Sequence, residues 1–171
     1  STGPVRAQQK VTIVHQTWVT LELTLVLEGA AGSTSETHET LRGRAGERLA
    51  FAAPLQSSNG PMMVGLVLSP RPDRVGNHLW LRLEAEVRPA KQRPTTTTRT
   101  LTVTPGRTGL AELWRDANSR ASLVAAIGGS WEEVPTLSQI LPGAEPIDLV
   151  VEVVARDSGG EYLLEQHRLG G

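Results

Sequence analysis

Val19-Thr20-Leu21-Glu22-Leu23-Thr24-Leu25-Val26-Leu27-Glu28 puts an apolar residue at every odd position and a mostly polar one between. A period of two belongs to a β-strand, whose successive side chains point to opposite faces, so this stretch reads as a strand with one core face and one wet face. The pattern extends back to about Val11 and stops at Gly29-Ala30-Ala31-Gly32. The same alternation returns at Leu79, Leu81, Leu83, Ala85 and Val87, with Trp80, Arg82, Glu84, Glu86 and Arg88 on the other phase. A shorter strand holds Met62, Val64, Leu66 and Leu68 and is expected to stop at Ser69-Pro70-Arg71-Pro72. Leu101 and Val103 alternate with threonines up to Pro105-Gly106, and Ile147 to Val154 alternates again. Asp157-Ser158-Gly159-Gly160 reads as a hairpin turn into a last strand near Glu161 to Gln166. Thr37 to Ala52 reads as a strand pair broken at Arg44-Ala45-Gly46-Glu47.

About seven short strands between Gly/Pro turns point to an all-β fold, and alternation rather than solid apolar runs favours antiparallel pairing. The expectation is an antiparallel β-sandwich spanning 11–171 as one domain, preceded by a polar, flexible arm at 1–10. The exception is a short irregular or helical insert near 110–141. There Leu110, Leu113 and Trp114 have helical spacing, Arg120 to Ile127 suits a short helix stopped by Gly128-Gly129, and Leu137, Ile140 and Leu141 suggest another turn.

The 171 residues suffice for one sizeable core, and 39% hydrophobic with 20% charged residues is ordinary for a globular chain. A net charge of -1 lacks the basic excess of a nucleic-acid binder, so no nucleic-acid partner is expected. Only Lys10 and Lys91 among the 17 basic residues are lysines; arginine suits bidentate and stacked contacts, although codon composition explains the same bias. The absence of cysteine removes disulfides, thiolate metal sites and a cysteine nucleophile. No apolar run is long enough to span a bilayer as a helix, so no direct membrane span is expected. Ser1 stands where an initiator Met would, which fits either trimming or cleavage of a secretion signal.

The chain carries few residue patterns that chemistry requires. His15, His38, His78 and His167 lack the helical i, i+4 spacing of a zinc site; His38 between Glu36 and Glu39 reads as a solvated segment. Neither a G-x-S-x-G elbow nor a phosphate-cradling glycine loop is present. Glu132-Glu133 beside Trp131 are adjacent in sequence and point apart, which is poor geometry for an acid/base pair. The expectation is therefore a protein that is not an enzyme and uses no cofactor or metal, with an enzyme assembled in the insert as the outlying alternative.

The aromatic residues carry the functional expectation. Trp18 and Trp80 fall out of phase with the leucines of their own strands, so each projects from a polar face, Trp80 beside Arg82. Tryptophan offers a large apolar area at small rotamer entropy, which suits an anchor for a partner. The expected partner-binding residues are Trp18, Trp80, Arg82, Trp114 and Trp131. Burial of these tryptophans under the insert, a bulge that flips the phase at Trp18, and a sugar-stacking platform of Trp18 and Trp80 are the competing readings. Pro94 to Thr100 is polar and β-prone; it reads first as a solvated strand start leading into Leu101, and on an edge strand it could pair with another chain.

Leu-Arg-x-x-x-Gly-Glu-Arg-Leu-x-Phe at Leu41 to Phe51, together with the amphipathic leucine strands, resembles small bacterial envelope β-domains, although a strand–turn–strand passage explains the same letters. The resemblance implies export, to the periplasm or the extracellular face of a bacterial membrane. The functional expectation is a non-catalytic accessory or structural subunit that binds other proteins within a hetero-oligomeric, membrane-associated complex. A carbohydrate or small-ligand binding module is the runner-up.

Overall fold

A computed structural model describes residues 7–73, 75–129, 132–139, 147–157 and 160–170. The fold is all-β, with two sheets packed together as a sandwich. Eleven strands occur among the described residues: β1 (Ala7–Glu28), β2 (Thr34–Arg44), β3 (Leu49–Ser57), β4 (Gly60–Asp73), β5 (His78–Arg88), β6 (Thr95–Val103), β7 (Gly109–Arg115), β8 (Arg120–Ile127), β9 (Glu132–Gln139), β10 (Ile147–Asp157) and β11 (Gly160–Gly170). The chain divides into two compact units, Val19–Trp131 and a second made of Ser1–Trp18 with Glu132–Gly171. The 22 residues of β1 run through both.

In the Val19–Trp131 unit, β3, β4, β5 and β6 form a four-stranded antiparallel sheet in that order. The later half of β1 pairs antiparallel with β8, β8 with β7, and β2 adds to β1. The two layers close over one core that takes Leu21, Leu23 and Leu25 from β1, Leu66 and Leu68 from β4, Leu79, Leu81 and Leu83 from β5, and Leu123 from β8. Each such leucine contributes on the order of 2 kcal/mol by leaving water. The alternation in sequence is thus the alternation of burial along β5, where every second residue from Leu79 to Val87 is sealed and its neighbours face outward.

In the other unit, the first half of β1 pairs in parallel with β10 (Ala7 opposite Ile147 through Gln16 opposite Arg156) and antiparallel with β9. β10 continues antiparallel into β11. The β1–β10 pair departs from the antiparallel expectation. Strand structure also begins at Ala7, inside the segment read as an arm; residues 1–6 lie outside the described ones.

The segment 110–127 corrects the helical reading. Gly109–Arg115 and Arg120–Ile127 are strands. The register slips between Glu112 and Trp114, a β-bulge that gives β7 one extra residue, so Leu113 and Trp114 both point into the core. That bulge produced the helix-like spacing, whereas Leu110 is 67% exposed. In β8, Ala121, Leu123, Ala125 and Ile127 are buried, but Val124 and Ala126 between them are also apolar, which hid the period of two. Leu137 falls in strand β9; Ile140 and Leu141 lie outside the described residues.

Two smaller expectations also change. β4 continues through Pro70 and Pro72 to Asp73. β3 pairs with β4 only as far as Leu68, so the prolines occupy a part of β4 with a single neighbour, where a missing N–H costs no ladder bond. The strands flanking Arg44-Ala45-Gly46-Glu47 belong to different sheets, β2 with β1 and β3 with β4. Gly46 adopts φ +82° at that corner, and Glu47 accepts a hydrogen bond from the Arg44 N–H at 2.9 Å.

Candidate protein-binding face

The outward phase of the four-stranded sheet is solvent-facing. Along β5 it presents Trp80, Arg82, Glu84, Glu86 and Arg88, with Arg71 of β4 and Thr102 of β6 directly opposite Trp80. Trp80 is 37% exposed, so the face expected from its phase is the face it occupies. Arg82 is exposed and lies 3.8 Å from Glu84. Glu84 also meets Arg48 at 3.3 Å, and Glu86 meets Arg88 at 2.6 Å. Exposed pairs of this kind add little stability because water and salt screen them; they leave the face mixed in charge.

Trp80 is held in place by the β4–β5 turn. Asp73 Oδ1 accepts hydrogen bonds from the Val75 and Gly76 N–H groups, both at 3.1 Å. The His78 ring meets the indole edge-on, with centroids 4.8 Å apart and planes at 80°. His78 Nε2 is 3.4 Å from Asp73 Oδ2 but lacks hydrogen-bond alignment and is buried without a partner. A Cβ on Gly76 would stand 2.5 Å from this imidazole, so only glycine lets the turn close over the ring. Gly76→Ala is expected to displace His78 and loosen Trp80, read as a change in indole emission when the other tryptophans are replaced by phenylalanine.

The Asp73 carboxyl lies below its usual range, chiefly because the Gly76 N–H stabilises the charged form, with the His78 charge and the Val75 and Trp80 donors adding to it and desolvation opposing. A carboxylate depressed in the folded state contributes stability above its unfolded pKa, and loses it as pH falls through the folded value. The melting-temperature gap between wild type and Asp73→Asn is therefore expected to be widest near neutrality and to close on acidification. A gap that is constant with pH would remove this role from Asp73.

Further along the face from Trp80, beyond Arg82, small residues leave a shallow trough of about 550 Å³. Ala50, Ala52, Gly65 and Val67 form its floor, and Glu84, Glu86, Thr96 and Thr98 border it. Nothing lies within 4 Å of where a Gly65 Cβ would be.

The other expected anchors fare differently. Trp18 is half-buried, on the phase opposite the buried Thr17 and Val19, so no bulge flips it. It belongs to the sheet of β1 and Trp80 to that of β5. Trp114 is 9% exposed and part of the core, which corrects its reading as a partner anchor. Trp131 lies outside the described residues. Around His38, Nδ1 is 2.9 Å from Thr24 Oγ1 and Nε2 is 3.3 Å from Glu36. No group of three or more metal-ligating side chains occurs among the described residues. Sequence reasoning missed Asp73 and Arg71 beside Trp80; the available signal was Asp73-x-x-Gly76-Asn77-His78, a turn whose first residue can bond its own backbone. It also assigned no role to β11, which exposes Tyr162, Leu163, Leu164 and Leu169.

No helix among the described residues is long and apolar enough to cross a membrane. No family model matches the chain, and neither a curated protein nor a solved structure matches it.

Proposed function

We propose that this chain is a non-catalytic accessory or structural subunit that binds another protein through the outer face of β3–β6. The observation that carries the reading is Trp80: a large, partly exposed indole, met edge-on by the His78 ring and flanked by Arg71 and Arg82. Tryptophan and arginine dominate the energetics of protein interfaces, and an anchor already locked in one rotamer loses little entropy on binding. The exposed Tyr162 to Leu164 segment of β11 adds apolar surface of the kind that marks an interaction site. Placement in a hetero-oligomeric complex on the periplasmic or extracellular side of a bacterial membrane belongs to the proposal through the resemblance at Leu41 to Phe51.

The test is affinity capture from native cells with tagged wild type and tagged Trp80→Ala. The substitution is expected to reduce recovery of a stoichiometric partner at least tenfold, about 1.4 kcal/mol or more, while lowering stability by no more than about 1 kcal/mol. Undiminished capture by Trp80→Ala, or capture of no partner at all, would remove the support for this reading.

A further inference from the structure

We infer that Arg71 and Arg82 form a carboxylate clamp beside Trp80, which takes an acidic side chain of the partner protein while a neighbouring apolar residue of that partner covers the indole. The inference rests on the protein-binding reading above and names the chemistry of the bound segment. Arg71 on β4 stands directly opposite Trp80 on β5, and Arg82 follows two residues later on the same phase, with Ser69 and Thr100 opposite it. Diagonal neighbours on one face of a sheet lie roughly 7–8 Å apart, within reach of long side chains. The two guanidinium groups can therefore converge on one carboxylate, the acceptor that suits them best.

Unused hydrogen-bonding capacity marks this pair. Arg48 donates to Glu84 at 3.3 Å, Arg88 to Glu86 at 2.6 Å, Arg115 to Glu112 at 2.9 and 2.8 Å, and Arg120 to Glu28. Arg71, by contrast, is exposed and has neither a hydrogen bond nor an ion pair among the described residues. Arg82 is also exposed and lies 3.8 Å from Glu84, beyond hydrogen-bond reach, while the other oxygen of Glu84 accepts from Arg48. Asp73, the carboxylate at this end of the face, is taken by the Val75 and Gly76 N–H groups. Two like charges on neighbouring positions repel; a carboxylate between them removes that repulsion and fills donors on both.

The rest of the face restricts the anion to a short one. Ser69, Thr100 and Thr102 place hydroxyl donors around the indole, but the next rows along β5 carry Glu84 and Glu86. A phosphodiester chain laid along β5 would meet those carboxylates, and the chain as a whole has 17 basic against 18 acidic residues. One acidic side chain of a protein, with neutral neighbours, meets only the cationic end. Trp80, 37% exposed, supplies the apolar contact without which an exposed ion pair is weak.

The probe is a fluorescein-labelled Gly/Ser peptide carrying Leu followed by Glu, with twins carrying Gln or Lys in place of Glu, titrated into the intact chain. The Glu peptide is expected to bind roughly fivefold more tightly than the Gln peptide. That preference is expected to shrink as salt rises from about 0.05 to 0.3 M, and the Trp80 indole N–H resonance is expected to shift on binding. Arg71→Gln with Arg82→Gln should erase the preference, and Arg71→Glu with Arg82→Glu should transfer it to the Lys peptide. Both double variants should keep the wild-type melting temperature, since the side chains are exposed. No binding of the Glu peptide, equal binding of the Glu and Gln peptides, shifts confined to residues away from Trp80, or tighter binding of an oligothymidylate overturns the inference. A partner captured in a Trp80-dependent way, yet equally by the Arg71→Gln, Arg82→Gln variant, sinks the clamp while the protein-binding reading stands. Capture that fails alongside binding of every peptide sinks both.

Discussion

Trp114→Ala is expected to lower the free energy of unfolding by about 3–5 kcal/mol, the usual range for truncating a buried tryptophan. The indole is 9% exposed and packs in the cluster that includes Leu113 and the wholly buried Ala121, the residue opposite it across β7 and β8. The bulge directs two successive side chains, Leu113 and Trp114, into the interior, so removing the larger one leaves a void that its small neighbour Ala121 cannot fill. Denaturant unfolding measures the change directly. A loss below about 1 kcal/mol would mean that Trp114 is a surface residue after all, and would restore it to the list of partner anchors.

Leu81→Ala is expected to cost about 2–5 kcal/mol. Leu81 is fully buried in β5, opposite Pro70 on β4 and Leu101 on β6. Its neighbour Trp80 points the other way, and Trp80→Ala is expected to spare stability and affect binding. The two substitutions, adjacent in sequence, should therefore separate cleanly: one shifts the melting temperature, the other the capture of a partner. If Trp80→Ala proved as destabilising as Leu81→Ala, the indole would belong to the framework of the β4–β5 turn rather than to an interface.

The legibility of this fold follows from how each strand shows its period. β1 and β5 set leucine or valine against mostly polar residues and were readable, and β4 was read from Met62, Val64, Leu66 and Leu68 although Met63, Gly65 and Val67 lie between them. β8 conceals the same geometry because Val124 and Ala126 are apolar on the half-buried phase. β7 conceals it because a single extra residue puts Leu113 and Trp114 on one side, which imitates one turn of a helix. Pro70 and Pro72 look like a stop signal, yet they lie where β4 has only one neighbour and tolerates residues without an N–H.

The candidate face was legible in part. The phase of Trp80 and Arg82 announced an outward-facing pair, because facing is decided by counting residues along one strand. The edge-on contact of His78 with the indole was not, because it depends on how tightly the turn at Gly76 closes over the imidazole. Nor could counting distinguish Trp18 and Trp80, which have similar phase but belong to different sheets.

Alternating polarity, a property of each segment alone, was enough to establish from the sequence that the chain is built of amphipathic strands with leucines on one side. Strand order is a property of the whole chain, since any amphipathic strand can satisfy its apolar side against several neighbours. Folding alone therefore decided that Arg71 stands opposite Trp80, that β1 joins two units, and that Trp114 is inside while Trp80 is out.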